Sequence, residues 1–185
     1  LNLDWGHAPK INVSVKPSAL YSQMRPASFE HSVERAGERL RELYRKAVKI
    51  GAQVVLDMES RDLKNITLAL YKRVNLEKEF LDYPHTGIIV QSYLKESERD
   101  VEDLLAWARN HSQRFTVRLV KGAYREAERV LAAQRGWPLP IYQDKRETDL
   151  AFERLTRRLL ENHPFLDFAC ASHNARTIAW VLENA

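Results

Sequence analysis

Five short apolar runs alternate with longer stretches whose apolar residues recur at helical spacing, and this alternation restricts the fold more than any other property of the chain. The runs are Ile11-Asn12-Val13-Ser14-Val15, Gln53-Val54-Val55-Leu56, Gly87-Ile88-Ile89-Val90, Phe115-Thr116-Val117-Arg118-Leu119-Val120, and the stretch 165–171. Helices are expected over 28–50, 62–80, 97–110, 124–135 and 148–162, and a last one runs toward Ala185. Ser28 and Ser97 are placed as caps, the latter with Asp100 three residues on, while Gly51 and Gly136 stand where helices stop. The opening, residues 1–9, has no periodicity. Strands separated by helices are joined by crossovers, so neighbouring strands run parallel and the class is α/β.

Parallel βα units build either an open doubly wound sheet or a closed barrel. Every run here ends in polar residues: Lys16; Asp57 and Glu59; Gln91 and Tyr93; Arg118 and Lys121; His173 and Asn174. A barrel assembles its active site from many strand ends, whereas an open sheet gathers it at one reversal point. The pattern therefore predicts a (β/α)8 TIM-type barrel. Eight units take about 250 residues, so five units in 185 residues predict a partial barrel. Each polar residue also has an ordinary structural use, Asp57 as a helix cap or Gln91 as a partner for backbone; convergence at one face is what favours a site.

The fourth run carries the sharpest chemistry. Arg118 and Lys121 end it, and Gly122 opens the turn into the next helix. Two cations beside an apolar core require an anion. Carboxylates elsewhere in the fold can supply it, since ion pairs also populate strand ends. A ligand can supply it as well, and a glycine turn followed by a helix N-terminus suits a phosphate-bearing cofactor.

Other classes fit poorly. Basic and acidic residues number 29 and 25, a net charge of +4, and they are interspersed rather than gathered in a stripe, which does not suit a nucleic-acid binder. Arg154, Arg157 and Arg158 read as a solvated helix face. The single cysteine, Cys170, reads as a small buried core residue, and its isolation suits a reducing, intracellular setting. No apolar run reaches the length of a membrane span. The histidines show no metal-ligand spacing, and strand-end cations would repel a divalent ion, so no metal is expected.

Val13-Ser14-Val15-Lys16-Pro17-Ser18-Ala19-Leu20, Leu56-Asp57-Met58-Glu59, Gln91-Ser92-Tyr93-Leu94, Arg118-Leu119-Val120-Lys121-Gly122-Ala123-Tyr124, Lys145 with Glu147-Thr148-Asp149, and Ser172-His173-Asn174 resemble, in order, the motifs of proline dehydrogenase. The match is most similar to the proline dehydrogenase domain of the bifunctional proline utilisation A flavoenzymes, and it covers nearly the whole chain. The resemblance implies a distorted (β/α)8 barrel holding FAD, with residues 1–185 as a portion of that domain: the family's first strand would precede Leu1, and its last two strands and final helix would follow Ala185. It implies oxidation of L-proline to Δ1-pyrroline-5-carboxylate by hydride transfer to the flavin. Electrons would pass to quinone, by a cytoplasmic enzyme in peripheral contact with the membrane. It also implies an aldehyde dehydrogenase domain in the same full-length chain.

By the same resemblance Lys16 meets the proline carboxylate, Asp57 supports the substrate-binding charges, and Gln91 and Arg118 contact the flavin ring. Lys121, Gly122, Ala123, Tyr124, Gln143, Lys145, His173 and Asn174 line the rest of the FAD. Three positions depart from the family pattern: Arg125 stands where Trp is common, Gln143 where Thr is, and Pro17 where Leu is. Two other readings of the residues stay open, a Schiff-base lyase in which Lys16 or Lys121 attacks a carbonyl, and a barrel portion without catalysis. For residues 1–185 alone the expectation is aggregation, weak FAD binding and no proline oxidation.

Overall fold

The structure is a computed structural model that describes residues 8–185; the reading of the opening stretch falls mostly outside them. Strand β1 (Asn12–Val15) leads through the short helix α1 (Pro17–Leu20) and a 3-10 turn (Pro26–Ser28) into α2 (Phe29–Ile50). The order continues β2 (Gln53–Leu56), α3 (Arg61–Asn75), β3 (Thr86–Gln91), α4 (Ser97–His111), β4 (Phe115–Val120), α5 (Arg125–Arg135), α6 (Lys145–Leu160), β5 (Leu166–Cys170) and α7 (Ala175–Asn184). The strands form one parallel sheet in the order β1-β2-β3-β4-β5, without a reversal. A doubly wound sheet has its ligand crevice where the order reverses, and this sheet has no such point.

The two faces of the sheet differ as strand alternation requires. One carries Val54, Leu56, Ile88, Val90, Phe115, Val117, Leu119 and Leu166, all buried in a single core with Leu40, Tyr44, Ile66, Leu70, Leu104, Leu105, Phe152 and Leu155 from the helices. Fully burying side chains of this size is worth about 1.5–3 kcal/mol each, which holds the helices to that face. The other face carries Ser14, Val55, Gly87, Thr116 and Asp167 in one register row, and Ile89, Arg118 and Ala169 in the next.

This second face is concave. Three interstrand steps put β1 and β4 about 14 Å apart in a flat sheet, too far for side chains standing upright to touch, yet Arg118 Nη1 donates to Ser14 Oγ at 2.9 Å. Lower down, Gln53 Nε2 donates to Thr116 Oγ1 at 2.7 Å, passing over β3 at Gly87. A Cβ on Gly87 would lie 3.0 Å from the Thr116 carbonyl oxygen and 3.1 Å from Val55 Cγ2. The missing side chain is what lets β2 and β4 approach.

Several local expectations need correction. Ser28 stands at the α2 N-cap without capping through its side chain, and Ser97 is the first residue of α4, with its hydroxyl turned back to donate to the carbonyls of Gln91 and Leu94. Asp100 pairs with the buried Lys64 at 2.6 Å instead of completing a capping box. The second long helix stops at Asn75, and α6 begins at Lys145 because Asp144 and Glu147 form a capping box there. Cys170 is half-buried, since β5 has no further strand beside it among the described residues. Arg154 and Arg158 do lie on an outer helix face, paired with Glu98 and Glu102 of α4. Among the described residues no helix is long and apolar enough to cross a membrane.

Candidate active site

The carboxyl ends of the strands surround a cavity of about 520 Å3. Lys16, Asp57, Gln91, Arg118, Lys121, Gly122, Ala123, Tyr124, Lys145, His173 and Asn174 line it, with Met58, Ile89, Val120 and Ala171 as apolar wall. Gln143 lies outside, on a neighbouring cleft.

Lys16 leaves β1 with its ammonium donating to Tyr124 Oη at 3.4 Å and 3.7 Å from the Asp57 carboxylate beyond β2. The Tyr124 hydrogen bond outweighs the opposing effect of burial, and with the Asp57 and Glu59 charges it raises the Lys16 pKa above the ordinary lysine value. A lysine kept as ammonium is unsuited to the Schiff-base reading, which needs a neutral amine. Glu59 accepts from Ser18 N at 2.9 Å and Ser18 Oγ at 2.7 Å, capping α1, and only Asp57 of this carboxylate pair reaches the cavity.

Gln91 is fixed by donating from Nε2 to the carbonyls of Met58 at 2.8 Å and Glu59 at 3.2 Å. Its Oε1 is then left buried without a partner. An unpaired buried acceptor costs about 1–3 kcal/mol, and Gln91 carries this one on the β3 side of the cavity that it lines. Arg118, half-buried, bonds Ser14 Oγ and has no carboxylate within ion-pair distance among the described residues. Lys121 does have one: its ammonium donates to Asp149 Oδ1 at 2.6 Å, and Lys145 reaches the other oxygen at 3.3 Å. Burial pushes the Asp149 carboxyl up, but the hydrogen bonds from the two lysines outweigh it and hold the group below the usual carboxylate range. The ion-pair reading of the strand-end cations thus holds for Lys121, whereas Arg118 has no such partner among the described residues.

Gly122 adopts a φ of +133°, and a Cβ there would sit 2.4 Å from Cγ and Cδ1 of Tyr93. The glycine is required by its backbone and by the ring beneath it. Asn174 Oδ1 accepts from Thr177 N at 3.1 Å to cap α7, which leaves its amide NH2 for a ligand. Burial pushes the Cys170 thiol up, against the reactive thiolate form. Asp149 and Tyr93 are both named from the sequence, one within a family motif and the other at a strand end, but their contacts are not: Asp149 gathers both lysines, and the Tyr93 ring underlies the Gly122 turn.

Comparison with known families matches residues 2–185 to the family described as proline dehydrogenase. The bifunctional protein PutA of Klebsiella aerogenes is 29% identical over 174 residues, which cover 94% of this chain and 13% of that protein. Proline dehydrogenase 1, mitochondrial, of Homo sapiens is 27% identical over 181 residues, covering 91% and 29%. The crystal structure of proline utilization A (PutA) from Bdellovibrio bacteriovorus inactivated by N-propargylglycine superposes with a TM-score of 0.93 at 43% identity, over 96% of this chain and 19% of that one. The chain therefore spans a minor part of the length of these relatives.

Proposed function

Since the chain belongs to the proline dehydrogenase family, we propose that the protein containing it oxidises L-proline to Δ1-pyrroline-5-carboxylate with FAD as cofactor. One observation carries the reading: the fixed ammonium of Lys16 and the guanidinium of Arg118, which has no carboxylate within ion-pair distance among the described residues, line one cavity together with Gln91, whose Oε1 is buried without a partner. The residues fit a flavin. Its ring carries an N–H for the Gln91 acceptor, and its phosphates suit the edge where Lys121, Lys145, His173 and Asn174 stand.

Bound FAD supplies the two-electron acceptor. Lys16 binds the proline carboxylate, and Asp57 and Tyr124 hold that ammonium in place. Arg118, permanently charged, stabilises negative charge as it develops during the oxidation. Met58, Ile89, Val120 and Ala171 give the cavity an apolar wall that keeps water from the reacting carbon.

The concave sheet, its sequential order and the outer edges of β1 and β5, unpaired among the described residues, support residues 1–185 as part of a (β/α)8 barrel domain. Reoxidation by quinone at a membrane surface, and an aldehyde dehydrogenase domain in the same full-length chain, complete the proposal; the name bifunctional of the PutA relatives supports the second. The test is the flavin absorbance of the purified full-length protein, recorded anaerobically with and without L-proline. A yellow protein bleached by proline is expected. A protein that takes up no FAD, or whose flavin stays oxidised with proline, overturns the reading.

A further inference from the structure

Arg125 is the first residue of α5 and follows Tyr124 directly, but its guanidinium turns away from the cavity. Nη1 donates to the carbonyl of Tyr142 at 2.7 Å and reaches that of Gln143 at 3.4 Å, while Nη2 donates to Thr148 Oγ1 at 3.2 Å. These acceptors flank Asp144, the cap of α6, and Thr148 stands next to Asp149. The same two segments are thus joined twice over: Arg125 bonds the start of α6 from one side, and Lys121 bonds Asp149 from the other.

We infer that Arg125 is a positioning residue for the cofactor site, tying the turn after β4 to the first turn of α6 and so fixing Lys145 and Asp149 relative to Lys121. The inference rests on the reading of the cavity as a flavin site. Other contacts hold the neighbouring parts. Tyr142 N donates to the Tyr93 carbonyl and Lys95 N to that of Pro140, which anchors the loop before the cap. Ala151, Phe152 and Leu155 bury the body of α6. Between these anchors lies the stretch from Gln143 to Thr148, and Arg125 is the side chain that bridges it to α5. A planar fork spreads fixed donors over two nitrogens and so serves two successive carbonyls and a hydroxyl at once, whereas an ammonium has its three N–H groups on a single atom.

Arg125→Ala in the full chain is the test, with Arg125→Lys beside it. In the apo protein, trypsin should cut after Lys145 and Arg146 several-fold faster in Arg125→Ala, as mapped by mass spectrometry. The FAD dissociation constant, read from flavin fluorescence, should rise about tenfold, the scale of one lost charge-assisted contact. Arg125→Lys should fall between the two. A lowered melting temperature with unchanged cleavage and unchanged FAD affinity means a purely structural role and overturns the inference. If the unsubstituted protein takes up no FAD, the functional reading falls and this site role with it, while faster cleavage in Arg125→Ala still separates the tie between the segments from that failure.

Discussion

Replacing Gly122 with alanine tests the shape of the turn that carries the strand-end cations. Two penalties are expected. A φ of +133° lies where L-residues rarely sit, which costs about 1–3 kcal/mol. The new Cβ also meets Tyr93 Cγ and Cδ1 at 2.4 Å and Cδ2 at 2.7 Å, and forced repacking of this kind costs about 1–3 kcal/mol. The ring has little room to move, being 1% exposed, with Tyr93 N bonded to the Lys121 carbonyl and its own carbonyl to Tyr142 N. Allowing about 0.4–1 kcal/mol for the stiffer unfolded chain, the net loss should be about 1–6 kcal/mol. A double-mutant cycle with Tyr93→Ala separates the parts, because removing the ring removes the clash and leaves the backbone strain. Tyr93→Ala alone costs about 3–5 kcal/mol, so urea unfolding of the full chain is best followed in a stabilising osmolyte. The two substitutions should couple by about 1–3 kcal/mol. Additivity within about 0.5 kcal/mol would show that the ring does not shape the turn, and a Gly122→Ala loss near zero would refute both halves of the reasoning.

Arg118→Met should slow flavin reduction by L-proline about 100- to 1000-fold, in line with loss of one charge-stabilising donor, with a smaller change in proline binding; unchanged stopped-flow reduction removes Arg118 from its role. Lys16→Ala should weaken competitive carboxylate inhibitors more than it slows the reduction step. In the unsubstituted protein the Lys16 pKa is raised above 10.5, so inhibitor affinity should owe no change to this group across about pH 6–9 and should fall as the pH climbs past it. The depressed Asp149 pKa makes its pairing with Lys121 and Lys145 stabilising above the ordinary carboxylate value and lost as the pH falls through the folded one. The melting-temperature gap between the protein and Asp149→Asn should accordingly narrow as the pH falls from the ordinary carboxylate value through the folded one; a gap that does not narrow in acid contradicts the pairing.

The βα order was legible because strands of four to six residues and long helices of ten to twenty-two differ in period, and the polar ends showed where one gave way to the next; the four-residue α1 is too short to show a period and was not foreseen. Helix starts were less legible. Serine is read as a cap on statistical grounds, but at Ser97 the carbonyls of Gln91, at the end of β3, and of Leu94, in the turn after it, compete for the hydroxyl. At α6 the capping box of Asp144 and Glu147 lies inside a charged run that hides the onset of periodicity. Strand-end residues such as Lys16, Asp57, Gln91 and Arg118 could be named in advance, since any parallel array of this kind brings strand ends to one side. Their partners could not be. Asp149 meets Lys121 from a separate helix, and Arg125 reaches Tyr142 and Gln143 across a loop; such encounters depend on the packing angle of whole elements and leave no local pattern.

The sequential strand order also bears on how the chain is made. Each strand lies beside the one before it in sequence, an order that would let every new βα unit meet an edge already made during translation. Growth by accretion would then set the curvature as the sheet lengthens: with β4 beside β3, Gly87 lets Thr116 reach Gln53, and Arg118 can close on Ser14. Errors in one unit would then be passed forward, because the register of each strand is the template for the next.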